Sequence, residues 1–125
     1  MSSTNKKIAI IGAGVAGLLA AVTAADRGAK VMLFEKMPKV GLKMGITGKG
    51  RCNLTNSAPI MDFIGKTPGN GKFLYSAYEA FSNEDLLELL HGYGLATKVE
   101  RGGRVFPASD DAQEVRHLFM RLLKE

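Results

Sequence analysis

Six residues constrain this chain more than any others. Gly12-Ala13-Gly14-Val15-Ala16-Gly17 stands directly between two apolar runs, Lys7–Ile11 and Val15–Arg27. The first run is β-branched and closed by glycine, which reads as a short buried strand. The second is rich in Ala and Leu and reads as a helix, with Gly28 placed to end it in a left-handed cap. At such a junction each glycine has its own reason. Gly12 allows the tight turn out of the strand, Gly14 lets a pyrophosphate approach the backbone, and Gly17 lets helix and strand pack closely. The helix N-terminus offers N–H groups and a positive dipole end to phosphates, so no basic side chain is needed. Alone, a glycine triplet is a weak signal, because small residues at helix–strand contacts are common.

Here the surroundings are in register with it. Small residues continue at Ala21, and Lys30–Glu35 reads as a second strand in which Val31 and Leu33 alternate with Met32 and Phe34. Both of its faces are apolar, as in a strand covered on both sides of a parallel sheet. Two parallel strands joined by one helix form a right-handed crossover. Glu35 ends the second strand 18 residues after Gly17, where a carboxylate accepts both ribose hydroxyls of an adenosine. An acid there disfavours a 2′-phosphate, and so NADP. The expected fold class is therefore α/β, a Rossmann-like βαβ nucleotide-binding unit over 6–36. The bland alternative makes the glycines a packing device and Glu35 an ordinary strand-end acid. The motif by itself does not separate FAD from NAD.

Other function classes are less well supported. Ile8–Ala25 is an uncharged stretch of 18 residues after Lys6-Lys7, which resembles a secretory leader and touches the lower limit of a membrane span. The glycines interrupt that stretch at fixed spacing, and a targeting role leaves Glu35 unexplained. No membrane association is expected. The net charge of +5 suits an anionic ligand, but the cations are interspersed with Asp and Glu rather than gathered into a run, so no nucleic-acid partner is expected. One cysteine allows no internal disulfide and no thiolate zinc cluster, and a reducing, cytoplasmic setting is the simplest reading. His91 and His117 stand on separate helical runs without carboxylates at ligand spacing, so no metal site is expected.

Beyond the βαβ unit the pattern dissolves from Met37 to Gly71, where Pro38, Pro59, Pro68 and glycines dominate. A loop this long in a compact domain is functional or disordered. From 72 to 125 the chain is expected to be helical and hairpin. Lys72–Phe81 reads as helix, with Tyr75, Tyr78 and Phe81 on a core face. Ser82 caps a further helix through Tyr93, with Asp85 in capping-box position and Gly94 as its stop. Leu95–Glu100 and Arg104–Phe106 form a hairpin turning at Gly102-Gly103. After Pro107, Ser109 or Asp110 starts a last helix with Ala112, Val115, Leu118, Phe119 and Leu122 on its apolar face, still running at the final residue.

The loop carries a second glycine cluster, Gly41 to Gly50, followed by Arg51-Cys52-Asn53-Leu54-Thr55-Asn56. An NAD domain would enter another crossover helix here. This stretch instead suits wrapping an extended dinucleotide with backbone amides, Lys43 and Arg51, while Thr47, Asn53 and Thr55 add directional hydrogen-bonding groups. The run from Thr47 to Asn56 after Glu35-Lys36 resembles the hallmark of the BaiN/RdsA flavoproteins, the aminoacetone-oxidase-like family of FAD-binding enzymes. The later stretch Glu100–Ser109 is similar to a second family segment, so the resemblance spans nearly all of the chain.

That resemblance implies noncovalent FAD, a two-part FAD domain with insertions, and redox chemistry at the flavin on small-molecule substrates. Carried over by motif, Gly12, Ala13, Gly14, Val15, Ala16 and Gly17 would hold the pyrophosphate, and Glu35 with Lys36 the ribose. Lys43, Thr47, Gly48, Gly50, Arg51, Cys52, Asn53 and Thr55 would line the dinucleotide and flavin. A lone small cysteine in a packed loop is more often inert than catalytic, and the catalytic residues are left unassigned. Family members are several-fold longer, so the chain is expected to be the N-terminal portion of an FAD-dependent oxidoreductase, with NAD(P)H as a candidate electron donor. The alternative is a truncated nucleotide-binding module without turnover. With only two parallel strands, an exposed sheet edge open to self-association is expected.

Overall fold

The computed structural model describes residues 5–124. In chain order the elements are β1 (Lys7–Ile11), α1 (Val15–Asp26), β2 (Lys30–Phe34), a 3₁₀ turn Met44–Ile46, the single turn α2 (Thr47–Gly50) and β3 (Thr55–Asn56). There follow α3 (Ile60–Lys66), a 3₁₀ turn Gly71–Leu74, α4 (Tyr75–Ala80), α5 (Asn83–Gly92), β4 (Thr97–Glu100), β5 (Arg104–Pro107) and α6 (Ala112–Leu122). They form two compact units. The first runs to Cys52 and resumes at Asp111; the second is Asn53–Asp110. The division falls inside the stretch that the sequence reads as one loop.

In the first unit β1 and β2 pair in parallel, in register from Lys7 with Lys30 to Ile11 with Phe34. Helix α1 crosses back over the sheet and buries Leu18, Ala21 and Val22, the i, i+3, i+4 stripe of an amphipathic helix. Leu18 is fully buried, which stabilises by about 2 kcal/mol. Helix α1 ends in a Schellman motif: Gly28, at φ +82°, donates to Ala25 O, and Ala29 donates to Ala24 O. Helix α6 packs on α1 and on the Met44–Ile46 turn. The expected cover on both faces of the sheet is not met within the described residues, since Ile11 is 83% exposed and its strand partner Phe34 50%.

The second unit is a three-stranded antiparallel sheet in the order β3-β5-β4, with helices α3 to α5. The hairpin turns at Gly102 and Gly103, both at positive φ. Helix α5 starts in the expected capping box: Asp85 N–H donates to Ser82 Oγ at 3.1 Å and Ser82 N–H to Asp85 Oδ2 at 2.7 Å. Gly94, at φ +91°, ends it with the same Schellman pair of bonds.

Four readings need correction here. The stretch 37–71 is not structureless, because Pro59 caps the seven-residue α3 and Thr55-Asn56 adds a third strand to β5. Tyr75 and Phe81 are not core residues; they stay 45% and 40% exposed, and only Tyr78 packs, tilted against Phe63 with centroids 5.6 Å apart. Helix α6 is capped by Asp111, whose side chain accepts from Gln113 N–H, not by Ser109 or Asp110. Asp110 sits at φ +59° and closes a turn onto Pro107 O, a left-handed conformation that cannot begin a right-handed helix. The helix also stops at Leu122 rather than running to the end.

Candidate functional site: the glycine turn and its brace

The three glycines of the first motif are glycine for three different reasons. Gly12 lies at φ +98°, which only glycine adopts freely, and its N–H donates to Phe34 O at 2.7 Å. Gly17 faces the strand so closely that a Cβ there would stand 1.8 Å from Gly12 O. Gly14 has neither reason. Its backbone is extended, φ −76° and ψ −174°, open to any residue, and a Cβ on it would meet no protein atom within 4 Å. Gly14 is also the N-cap of α1, which has no side-chain cap and no acid in its first turn. Val15 and Ala16, in that turn, are exposed. The helix end thus presents backbone N–H groups and positive potential outward across a bare Cα.

Glu35 stands just beyond β2. Its Oε2 accepts from Ala13 N–H at 2.7 Å and its Oε1 from Met37 N–H at 2.9 Å. These bonds, Met37 first and Ala13 second, lower the carboxyl pKa below its ordinary value; partial loss of hydration opposes them, and Lys36 adds to the lowering. Each oxygen keeps a lone pair for a further donor. Ala13, fully buried, is held at both polar groups, since Gly41 N–H donates to its carbonyl at 2.8 Å.

The HI0933-like protein Rossmann domain matches residues 6–125. The chain belongs to that family. It is 40% identical over 117 residues to a 3-dehydro-bile acid delta(4,6)-reductase of Clostridium scindens, covering 90% of this chain and 27% of that protein. It is 33% identical over 111 residues to the ribosomal RNA dihydrouridine synthase of Escherichia coli, covering 85% of this chain and 26% of that protein. A shorter match, 54% over 46 residues, joins it to the beta subunit of an NADP(+)-dependent formate dehydrogenase of Moorella thermoacetica, over 35% of this chain and 6% of that one. The chain thus spans about a quarter of the length of the first two. The HI0933-like family is one of Rossmann-like flavoprotein oxidoreductases, as the resemblance in Thr47–Asn56 implies.

In this HI0933-like domain the second motif is split. Thr47 to Cys52 belongs to the first unit and Asn53 to Asn56 to the second. The first part is a run of unusual backbone: Gly48, Lys49, Gly50 and Cys52 all have positive φ. For Lys49 and Cys52 that is a strained choice, of the kind that concentrates at ligand clamps. Cys52 N–H donates to Thr47 O at 3.0 Å, and Thr47 Oγ1 donates to Met44 O at 2.9 Å. Cys52 is buried, which pushes its thiol pKa up against a smaller opposing effect of the Thr47 side chain. A protonated, enclosed thiol is a poor nucleophile. Lys36 and Lys43 are exposed on the same unit, and Arg51 is partly buried there.

Asn53 and Thr55 serve the second unit's own architecture. With its amide nitrogen turned toward acceptors, Asn53 donates to Thr55 O and Val105 O, and Thr55 lies opposite Val105 across the β3–β5 ladder. Asn56 ties the turn: its Nδ2 donates to Gly102 O and its Oδ1 accepts from Ala58 N–H. A Cβ on Gly103 would press to 2.6 Å from that Oδ1. His91 lies within 2.7 Å of Thr97 Oγ1 on an exposed face. Among the described residues no group of His, Cys, Asp or Glu is arranged to hold a metal, and no helix is long and apolar enough to cross a membrane. One residue the sequence reading passed over is Arg116, 9% exposed on the buried side of α6. Its signal was present: it occupies position i+4 of the apolar stripe Ala112, Val115, Phe119.

Proposed function

We propose that this chain is the FAD-binding, N-terminal portion of a flavin-dependent oxidoreductase. The observation that carries the reading is Gly14, a glycine that neither its backbone angles nor its protein neighbours require. Its bare Cα is accounted for by a ligand that comes within contact distance, and at an uncapped helix N-terminus that ligand is an anion. The pyrophosphate would lie across Gly14 and the first turn of α1, and Glu35 would take the ribose hydroxyls with its two remaining lone pairs. Gly48 to Cys52 would follow the flavin-side half of the dinucleotide with backbone amides, supported by Lys43 and Arg51. When bound, FAD supplies hydride transfer between a small-molecule substrate or NAD(P)H and an acceptor. The residues present here bind and orient it, and the setting is proposed to be cytoplasmic.

Calorimetry with ADP and FAD on the wild-type chain and Glu35→Ala tests the assignment. The substitution should weaken ADP binding by roughly 10- to 100-fold, the range for a lost charge-assisted pair of bonds. Equal affinity in the two proteins would remove Glu35 from the site, and no measurable binding of either nucleotide would sink the reading.

A further inference from the structure

We propose that Arg116 is a positioning residue for the glycine turn, acting through Val40 and Gly41. The arginine is nine-tenths buried as a residue, yet the acceptors it meets among the described residues are neutral: Nε donates to Val40 O at 2.7 Å and Nη1 to Gln113 Oε1 at 2.8 Å. Burying a cation against neutral acceptors costs more than burying an apolar side chain of the same length. Packing alone therefore does not explain an arginine here; fixing the Val40 carbonyl does. Gln113, one turn back on α6, holds the guanidinium in that pose.

The consequence runs along the chain by one residue. Gly41 follows Val40 at φ +63°, and a Cβ on it would meet Arg116 Cγ at 3.4 Å, Met44 Cε at 3.1 Å and Leu18 Cδ1 at 3.5 Å. The arginine thus seats Gly41 with its stem and Val40 with its head. Gly41 N–H in turn holds Ala13 O at 2.8 Å, while Glu35 holds Ala13 N–H from the other side. Ala13 is the residue between Gly12 and Gly14, so both ends of its peptide geometry are set before any ligand arrives. An open groove of about 280 Å³ between Pro38, Val40, Met120 and Leu123 lies beside the brace. Val40 is therefore open to solvent on that side, and the Arg116 bond fixes its carbonyl there.

The brace is a property of the ligand-free chain, and only its purpose rests on the nucleotide reading. The test compares wild type with Arg116→Met, which keeps the length and loses the donors, and with Arg116→Lys, which keeps one donor. Amide exchange by NMR on the ligand-free chain should show Gly41 and Ala13 exchanging about 10-fold faster in Arg116→Met, with the β1–β2 amides unchanged. ADP affinity should fall about fivefold in the same protein, and Arg116→Lys should recover part of both effects. Unchanged protection at Gly41 and Ala13, or equal loosening of every amide in the unit, overturns the proposal. Should Arg116→Met not fold, Arg116→Lys alone decides: an intermediate loss confined to Gly41 and Ala13 supports the brace, and none overturns it. A wild-type chain that binds no ADP defeats the nucleotide reading while the exchange result still decides the brace.

Discussion

Helices α1 and α5 end in the same way and begin in opposite ways. Gly28 and Gly94 each adopt the left-handed conformation and close the same pair of backbone bonds, because any helix must satisfy its last carbonyls. At the other end α5 satisfies itself: Ser82 and Asp85 exchange side-chain-to-backbone bonds and occupy its first turn. Helix α1 starts at Gly14 with no side-chain cap and no acid in its own first turn. The first turn of α5 is closed by its own residues, whereas that of α1 is left facing outward beside a carboxylate already fixed by backbone donors. Uncapped N–H groups at a helix N-terminus carry a positive potential that favours negative charge.

Breaking the turn itself should have the largest effect. Gly17→Ala places a methyl 1.8 Å from Gly12 O, so helix and strand must part; the expected cost is about 2–3 kcal/mol in denaturant unfolding, with nucleotide binding lost. If Gly17→Ala is as stable as wild type, the close approach of α1 to β1 is wrong.

Gly14→Ser sharpens the comparison by giving α1 the cap that α5 has. The hydroxyl can serve the helix's own N–H groups, so the ligand-free chain should gain a few tenths of a kcal/mol or stay level. The same hydroxyl occupies phosphate space, and ADP affinity should drop at least about 10-fold. Stability and affinity moving together would contradict the division between the two helix ends. The converse change, Ser82→Ala, should cost about 1 kcal/mol of stability by thermal melting and leave ADP affinity where it was.

The smallest effect concerns acid. Glu35 and Asp85 both titrate below their ordinary values because backbone N–H groups bond their charged forms. A carboxyl lowered in the folded state contributes stability that is whole above its unfolded value and lost as pH falls through the folded one. The melting-temperature gap between wild type and Glu35→Gln should therefore be full near about pH 7 and close toward about pH 3. A gap that is constant with pH would mean that the bonds to Ala13 and Met37 do not distinguish the charged form.

Local signals were legible where residues a few positions apart decide the outcome. The βαβ unit, both Schellman glycines, the Ser82 capping box and the Gly102-Gly103 hairpin all lie in short-range patterns of residue type. The amphipathic face of α6 was readable for the same reason, although its start was misplaced because Asp110 closes a turn instead. Long-range uses of a side chain were not readable. Thr55-Asn56 becomes a strand only because β5 lies beside it, and Arg116 is buried only because a carbonyl 76 positions away in the chain waits for it. Even Glu35 shows the limit: its type and place suggested a ribose ligand, but its grip on Ala13 exists only once strand end and glycine turn are brought together. Residue type and spacing by themselves determined where this chain turns, where its helices are capped and where α1 begins without a side-chain cap, since those depend on backbone freedom and nearest neighbours. Which groups hold the glycine turn was decided by the tertiary structure, because a hydrogen bond needs its donor and acceptor within about 3 Å and only folding supplies that distance.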